Sequence, residues 1–305
     1  MDWRGEIETA ASRIAGHVRV TPVLEVDIPG IGPVELKLEH LQHTGSFKAR
    51  GAFNRLIKGP VPPAGVVAAS GGNHGAAVAF AARKLGHQAR IFVPEIAGPA
   101  KIALIRAQGA ELEIVPGAVS GAFAAADDHA ERTGAMQVHP FDAPETLAGQ
   151  GTLMREWEAQ GLKADTVFIA VGGGGLVGGA MGWLGRQRKL VAVEPMLAPT
   201  LYAALQAGRP MRVAPSGIAA NALGAPLIGQ LCFDLATATG VTSVLVDDTA
   251  ILAAQRLLWD SLRQWVEPGG ATALAALLSG AYVPAKGEKL AVLLCGANPA
   301  PPPYG

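Results

Sequence analysis

The stretch Val66–Val115 reads VVAASGGNHGAAVAFAARKLGHQARIFVPEIAGPAKIALIRAQGAELEIV. Short runs suited to strands (Val66–Ala69, Arg90–Val93, Glu111–Val115) alternate with Ala-rich helical segments (His74–Leu85, Ala100–Gln108). Ser120–Arg132 predicts another helix and Met136–Val138 a fourth strand. Strands separated by helices pair in parallel through right-handed crossovers, so residues 62–142 predict a small α/β unit inserted in the chain.

Outward from this block the same grammar continues. Upstream, apolar residues at helical spacing predict a helix over 6–18, an extended segment follows Pro22, Val34–Leu38 is a strand, and Phe47–Ile57 is a helix. Downstream, helices are predicted over 144–160, 176–185, 198–207, 249–265 and 270–278, with strands over 166–171, 190–194, 243–246 and 290–294. Residues 1–61 and 143–305 then form a larger α/β domain beside the smaller one. Ligands bind beyond the carboxyl ends of parallel strands, which places a cleft between the two. The terminal PAPPPYG is expected to trail along the surface.

With half of its 305 residues hydrophobic and 16% charged, the chain can bury a substantial core and is not of disordered composition. Twenty-five basic residues balance twenty-five acidic ones, which leaves no electrostatic footprint for nucleic acid or an anionic membrane. The acid-bearing N-terminus MDWRGEIETAASRIAG is no secretory signal, and no apolar run approaches a membrane span. Cys232 and Cys295 lack metal-ligand spacing, and no His/Cys cluster suggests zinc. A reduced, cytoplasmic setting is expected.

Three loops carry candidate chemistry. In EHLQHTGSFKARGAFN (39–54) a polar turn leads to Phe47 and Lys48 at a loop-to-helix junction facing a cleft. A lysine held against apolar neighbours loses its proton more readily and attacks carbonyls, although most lysines are solvated charges. Gly172–Gly175 follow a strand and open a helix, so their N–H groups can converge on an anion; a tight strand-to-helix turn is the alternative. Ser70-Gly71-Gly72-Asn73 stands in a similar place, either holding a carboxylate or simply turning and capping the chain.

HTGSFKARGAFN (43–54) closely resembles the lysine segment of the fold-type-II pyridoxal-phosphate-dependent serine/threonine dehydratases and serine racemases. Further matching segments run in that family's order from about Ile7 to Asn298. The resemblance implies two three-layer α/β/α domains with the site between them. Lys48 would form the Schiff base with pyridoxal 5'-phosphate, Phe47 would pack near the ring, and Gly172, Gly173, Gly174 and Gly175 would hold the phosphate. Ser70, Gly71, Gly72 and Asn73 would take the substrate carboxylate, with Asn73 also facing the cofactor's phenolic oxygen. Cys295 would meet the ring nitrogen as a neutral partner, leaving a weak electron sink that favours prompt loss of a β-substituent. Glu267, in WVEPGGATALAA, would line the site, a capping or surface role being equally open. His139-Pro140-Phe141-Asp142 and Gly149-Gln150-Gly151-Thr152 are read as hinge and cleft structure, and His74 as a helix-start residue.

Where the chain departs from the pattern, expectations change. Racemases of this family commonly carry a proton-donating serine where Gly71 stands, so elimination is expected over racemisation. Glu194-Pro195 resembles the start of the family's divalent-cation site, but Thr200 and Pro215-Ser216-Gly217 stand where further acids belong. Hard cations want several oxygen ligands, so no metal is expected, and Glu194 would be an ordinary strand-end charge. The chain leaves no room after Cys295 for the regulatory domain of biosynthetic threonine deaminases, so isoleucine feedback is not expected. The implied activity is deaminating dehydration of a β-hydroxy-α-amino acid such as L-threonine or L-serine, in a homodimer. The alternatives are 3-hydroxyaspartate or phenylserine dehydration, a racemase, a β-replacement enzyme, or a pyridoxal-phosphate-binding protein without turnover.

Overall fold

The computed structural model describes residues 1–117 and 119–298. The proline-rich tail, 299–305, lies outside the described residues, and with it the expected surface course. Strands β1 (Val23–Ile28) and β2 (Gly32–Lys37) form an antiparallel hairpin. Strands β3 (Val66–Ala69), β4 (Ala89–Pro94), β5 (Glu111–Val115) and β6 (Met136–Gln137) make a parallel sheet in the order β5-β4-β3-β6. Strands β7 (Thr166–Ala170), β8 (Lys189–Pro195), β9 (Thr242–Val246) and β10 (Leu290–Leu293) join the hairpin in a second sheet, ordered β1-β2-β10-β7-β8-β9 and parallel beyond the first pair.

Period-two alternation decides what each face of the smaller sheet buries. Val66, Ala68, Ile91 and Val93 pack with α2 (Lys48–Lys58) and α3 (Asn73–Lys84), whereas Val67, Ala69 and Phe92 pack with Ala122 and Ala126 of α5 (Val119–Thr133). The larger sheet is apolar on both faces: Val167, Phe168, Ile169, Val191, Ala192 and Val193 are all fully buried. Its covering helices include α1 (Trp3–Ile14), α6 (Pro144–Ala159), α7 (Gly175–Leu184), α11 (Asp248–Leu262) and α12 (Pro268–Leu278). The remaining helices are α4 (Pro99–Arg106), α8 (Thr200–Ala207), the single turn α9 (Ala220–Leu223) and α10 (Gln230–Thr239). Among the described residues, no helix is long and apolar enough to cross a membrane.

Two local differences from the sequence expectation have physical causes. Helix α1 begins earlier because Asp2 accepts the Gly5 N–H at 3.1 Å, and ends earlier at extended Ala15, before Gly16 at φ +79°. Helix α10 was not expected, because Gly229 before it offers no side-chain cap. Its cap comes from afar: Asp142 accepts the N–H groups of Gln230 and Leu231, both at 3.0 Å.

Helix α2 is the element that positions the site. It crosses α6 so closely that a Cβ on Gly149 would lie 2.6 Å from the Cα of Gly51. Arg50 meets Glu39 at 2.6 Å and Glu156 at 2.8 Å, and Glu156 also meets fully buried Lys37 at 2.6 Å. Burial opposes charge on Arg50, but Glu39 and Glu156 together hold its pKa above the usual value. Such a pair is costly to break from one side, by about 3–5 kcal/mol, because the other charge stays buried. The first turn of α2 is thereby fixed to the end of β2 and to α6.

Candidate active site

Lys48 is the first residue of α2, and its Nζ donates to the carbonyl oxygen of Pro140 at 2.7 Å. Burial pulls its pKa down to about 8, with Cys295 acting weakly in the opposite sense. The ammonium lies 5.1 Å from the centroid of half-buried Phe47. His74 and His139 both sense the Lys48 charge, and both have lowered pKa values, chiefly through burial. At about 3, His74 is neutral, and its Nε2 lies 2.8 Å from the Val138 carbonyl, where it donates. The Nδ1 of His139 accepts the Asp142 N–H at 2.8 Å, so its ring holds the segment Pro140–Asp142 in shape.

Three loops converge on this amine, each at the carboxyl end of a parallel strand. After β7, Gly174 takes the left-handed conformation (φ +94°) that caps α7. Side chains at 172 and 174 would meet Leu223 at 2.9 Å and Cys232 at 2.6 Å, while one at Gly173 would overlap the Phe141 ring. The amides of Gly172–Gly175 donate no hydrogen bond among the described residues. After β3, the Ser70 hydroxyl accepts the Gly72 N–H at 3.1 Å, which makes Ser70 a turn former. The amides of Gly71 and Asn73 are without acceptors among the described residues.

After β10, Cys295 places Sγ 3.5 Å from the Gly269 carbonyl; burial, reinforced by Glu267, pushes its thiol up to about 12. It is therefore a neutral thiol. Gly296 lacks a side chain because a Cβ there would overlap Glu267. Glu267 is buried, which excludes a surface role; it stands at the cap position of α12, but its side chain makes no capping bond. Its Oε1 instead accepts from Asn73 Nδ2 at 2.5 Å. Burial raises its pKa to about 7, against the pull of Asn73 and Lys101. Asn73 also accepts from Asn298 Nδ2 at 2.7 Å, and the same amide donates to the carbonyl of Thr44 at 2.7 Å. Thr44 sits at φ 58°, a strained setting for a non-glycine residue in the loop before Lys48.

The geometry thus brings together Lys48, Phe47, Asn73, Glu267 and Cys295, with both glycine loops beside them. Sequence reasoning missed Lys101 and Asn298. Asn298 was findable, because it lies past the carboxyl end of a strand that already carried Cys295. Lys101 gave no local signal. It is buried, and its Nζ reaches from α4 to the Asn221 carbonyl within α9 at 2.8 Å. Its pKa is lowered by burial, with Glu267 opposing. Glu194 is no ordinary strand-end charge: it is wholly buried and hydrogen-bonded from several directions. Among the described residues, no group of three or more His, Cys, Asp or Glu could hold a metal ion.

These residues fit pyridoxal phosphate. Four amides without acceptors at a helix N-terminus suit a dianionic phosphate, a half-buried amine suits an aldehyde, and a neutral thiol suits a pyridine nitrogen.

Comparison with known proteins agrees. Residues 14–296 match the family model described as pyridoxal-phosphate dependent enzyme. The chain is 37% identical over 296 residues to a phenylserine dehydratase of Ralstonia pickettii, covering 94% of this chain and 90% of that protein. Among solved structures, maize serine racemase superposes with a TM-score of 0.92 at 30% identity, covering 98% of this chain and 94% of that one. The threonine deaminase of T.th. gives 0.89 at 35% identity, covering 98% of this chain and 99% of that one. The chain belongs to the pyridoxal-phosphate-dependent enzymes, in their fold-type-II serine/threonine dehydratase group.

Proposed function

We propose that this protein deaminates a β-hydroxy-α-amino acid by β-elimination, losing water across Cα–Cβ and then ammonia by hydrolysis to leave a 2-oxo acid. The observation that carries the reading is the half-buried Lys48 amine, its pKa lowered to about 8, together with the amides of Gly71, Asn73 and Gly172–Gly175, which are without acceptors among the described residues. Pyridoxal phosphate, when bound, supplies the electron sink for the α-carbanion.

The chain's own residues supply the rest. Amides of Gly172–Gly175 hold the phosphate, and amides of the Ser70–Asn73 loop hold the substrate carboxylate. Lys48 Nζ would hold the cofactor and, as a free amine, would be the group placed to accept the α-proton. The Cys295 thiol stays protonated, so it offers no negative charge to draw a proton onto the ring nitrogen. Asn73 is fixed between Glu267 and Asn298, where it would help orient the cofactor. No hydroxyl faces the site from position 71, which favours elimination over racemisation. Residues 62–142 act as the smaller, substrate-side domain.

Incubating the purified protein with L-serine, L-threonine and phenylserine while assaying 2-oxo acid tests the activity. The likeness to a phenylserine dehydratase keeps a bulky aromatic β-substituent in that panel. Absence of product from every β-hydroxy amino acid, with cofactor bound, would remove the reading. By family likeness the protein works as a homodimer in the cytoplasm, which light scattering and fractionation test.

A further inference from the structure

Strand β8 delivers Glu194 to the N-terminus of α8 with its carboxylate fully buried. Oε1 accepts the Leu201 N–H at 2.7 Å, and Oε2 accepts the Tyr202 N–H at 2.7 Å and the Ser243 hydroxyl at 3.2 Å. The Thr200 hydroxyl donates its one proton to the carbonyl oxygen of Gly172 at 2.6 Å, and its oxygen lies 3.2 Å from Oε1. The carboxylate thereby holds the first turn of α8, and Thr200 at the head of that turn reaches the first glycine of the cradle, whose own amide is without an acceptor among the described residues.

This is the place where the family resemblance implies a divalent cation, and the residues do not fit one. A hard cation needs converging oxygen lone pairs. Glu194 is instead met by N–H and O–H hydrogens and by the positive end of α8. At the second position where the resemblance implies an acid, the chain has Ser216-Gly217, and the Asp248 carboxylate is occupied in accepting the Ile218 N–H at 3.2 Å.

We propose that Glu194, acting through Thr200, replaces that cation with an internal clamp that fixes Gly172, so that cofactor retention is independent of divalent metal. The proposal rests on reading Gly172–Gly175 as the phosphate cradle. Glu194, Thr200 and Ser243 are positioning residues, since they touch neither cofactor nor substrate.

The test compares dissociation constants of pyridoxal phosphate and of pyridoxal, followed by absorbance, in the wild type and in Thr200→Val, Thr200→Ser and Glu194→Gln. The wild type should prefer the phosphorylated ligand and keep it through dialysis against EDTA, with no gain in affinity or melting temperature on adding Mg²⁺ or Ca²⁺. Thr200→Val and Glu194→Gln should lose about tenfold in affinity for pyridoxal phosphate, the scale of one buried hydrogen bond, and little for pyridoxal. Thr200→Ser, which keeps the hydroxyl, should bind like the wild type. Loss of cofactor to EDTA with recovery on Mg²⁺ or Ca²⁺ overturns the proposal, and so does unchanged affinity in Thr200→Val. If the wild type binds both ligands equally, the cradle reading itself fails. Should the stronger variants not fold, Ser243→Ala and the EDTA arm decide: a wild type stripped by chelation, or a Ser243→Ala protein with wild-type preference for the phosphorylated ligand, rejects the clamp.

Discussion

The Nζ of Lys48 donates to the carbonyl oxygen of Pro140 at 2.7 Å, tying the first turn of α2 to the segment that returns from the smaller sheet. A carbonyl carries no compensating charge, so burial dominates and the pKa falls to about 8. Below that value the amine is protonated and cannot attack; above it the lone pair is free. The rate at which apoprotein captures pyridoxal phosphate should therefore climb as pH rises through about 8 and level off beyond. Stopped-flow absorbance reads this directly, and a flat rate across the range would contradict the environment assigned to Lys48. Lys48→Ala should lower turnover by about 10²–10⁴-fold, the usual worth of a positioned proton acceptor.

Glu267 gives a second pH signature. Burial raises its pKa from 4.5 to about 7, so the folded state favours the protonated acid. A raised carboxyl contributes stability that is complete below about 4.5 and disappears as pH climbs through about 7. Glu267→Gln keeps an acceptor for Asn73 and cannot ionise. Its melting temperature relative to the wild type should increase as pH rises across that window, measured by calorimetry. A constant difference would show that Glu267 does not titrate there.

Lys101 reaches from α4 to the Asn221 carbonyl and stands near Gly72 in the loop after β3. Lys101→Met retains the apolar stem and deletes the bridge. Steady-state kinetics should show KM rising by about tenfold, the scale of one charged hydrogen bond, with the melting temperature little changed. An unchanged KM would mean that the bridge does not shape substrate binding.

Gly71 is held small by packing as well as by chemistry, because an added Cβ would overlap the Cβ of Ala97. Gly71→Ser should cost about 1–3 kcal/mol by overpacking, read from denaturant midpoints, and should yield no D-serine on chiral chromatography. Adding Ala97→Gly should recover the stability. A single Gly71→Ser protein of wild-type stability that racemises serine would refute both halves.

Much of this protein was legible along the chain. The strands Val66–Ala69 and Glu111–Val115 lie where the sequence put them, because short strand-forming runs between helical segments leave a local trace. The glycine run at 172–175 was legible as a strand-to-helix turn because that backbone break is written in the residues themselves, whereas Lys48 and Cys295 stood out only through the family resemblance. Helix α10 was not, since its cap is Asp142, far away in sequence. Nor was Lys101, whose side chain looks like any charge on an Ala-rich helix until Asn221 and Glu267 come within reach.

The order of elements, the two parallel sheets and the residue types at their carboxyl ends follow from local pattern, because periodicity and turn chemistry act over a few residues. Which of those residues meet was decided only by the tertiary structure. The same holds for the fall in the Lys48 pKa, the burial of Glu194 and its link through Thr200 to Gly172. Desolvation and through-space fields depend on distances between atoms remote in the chain, and those distances exist only once both sheets have packed.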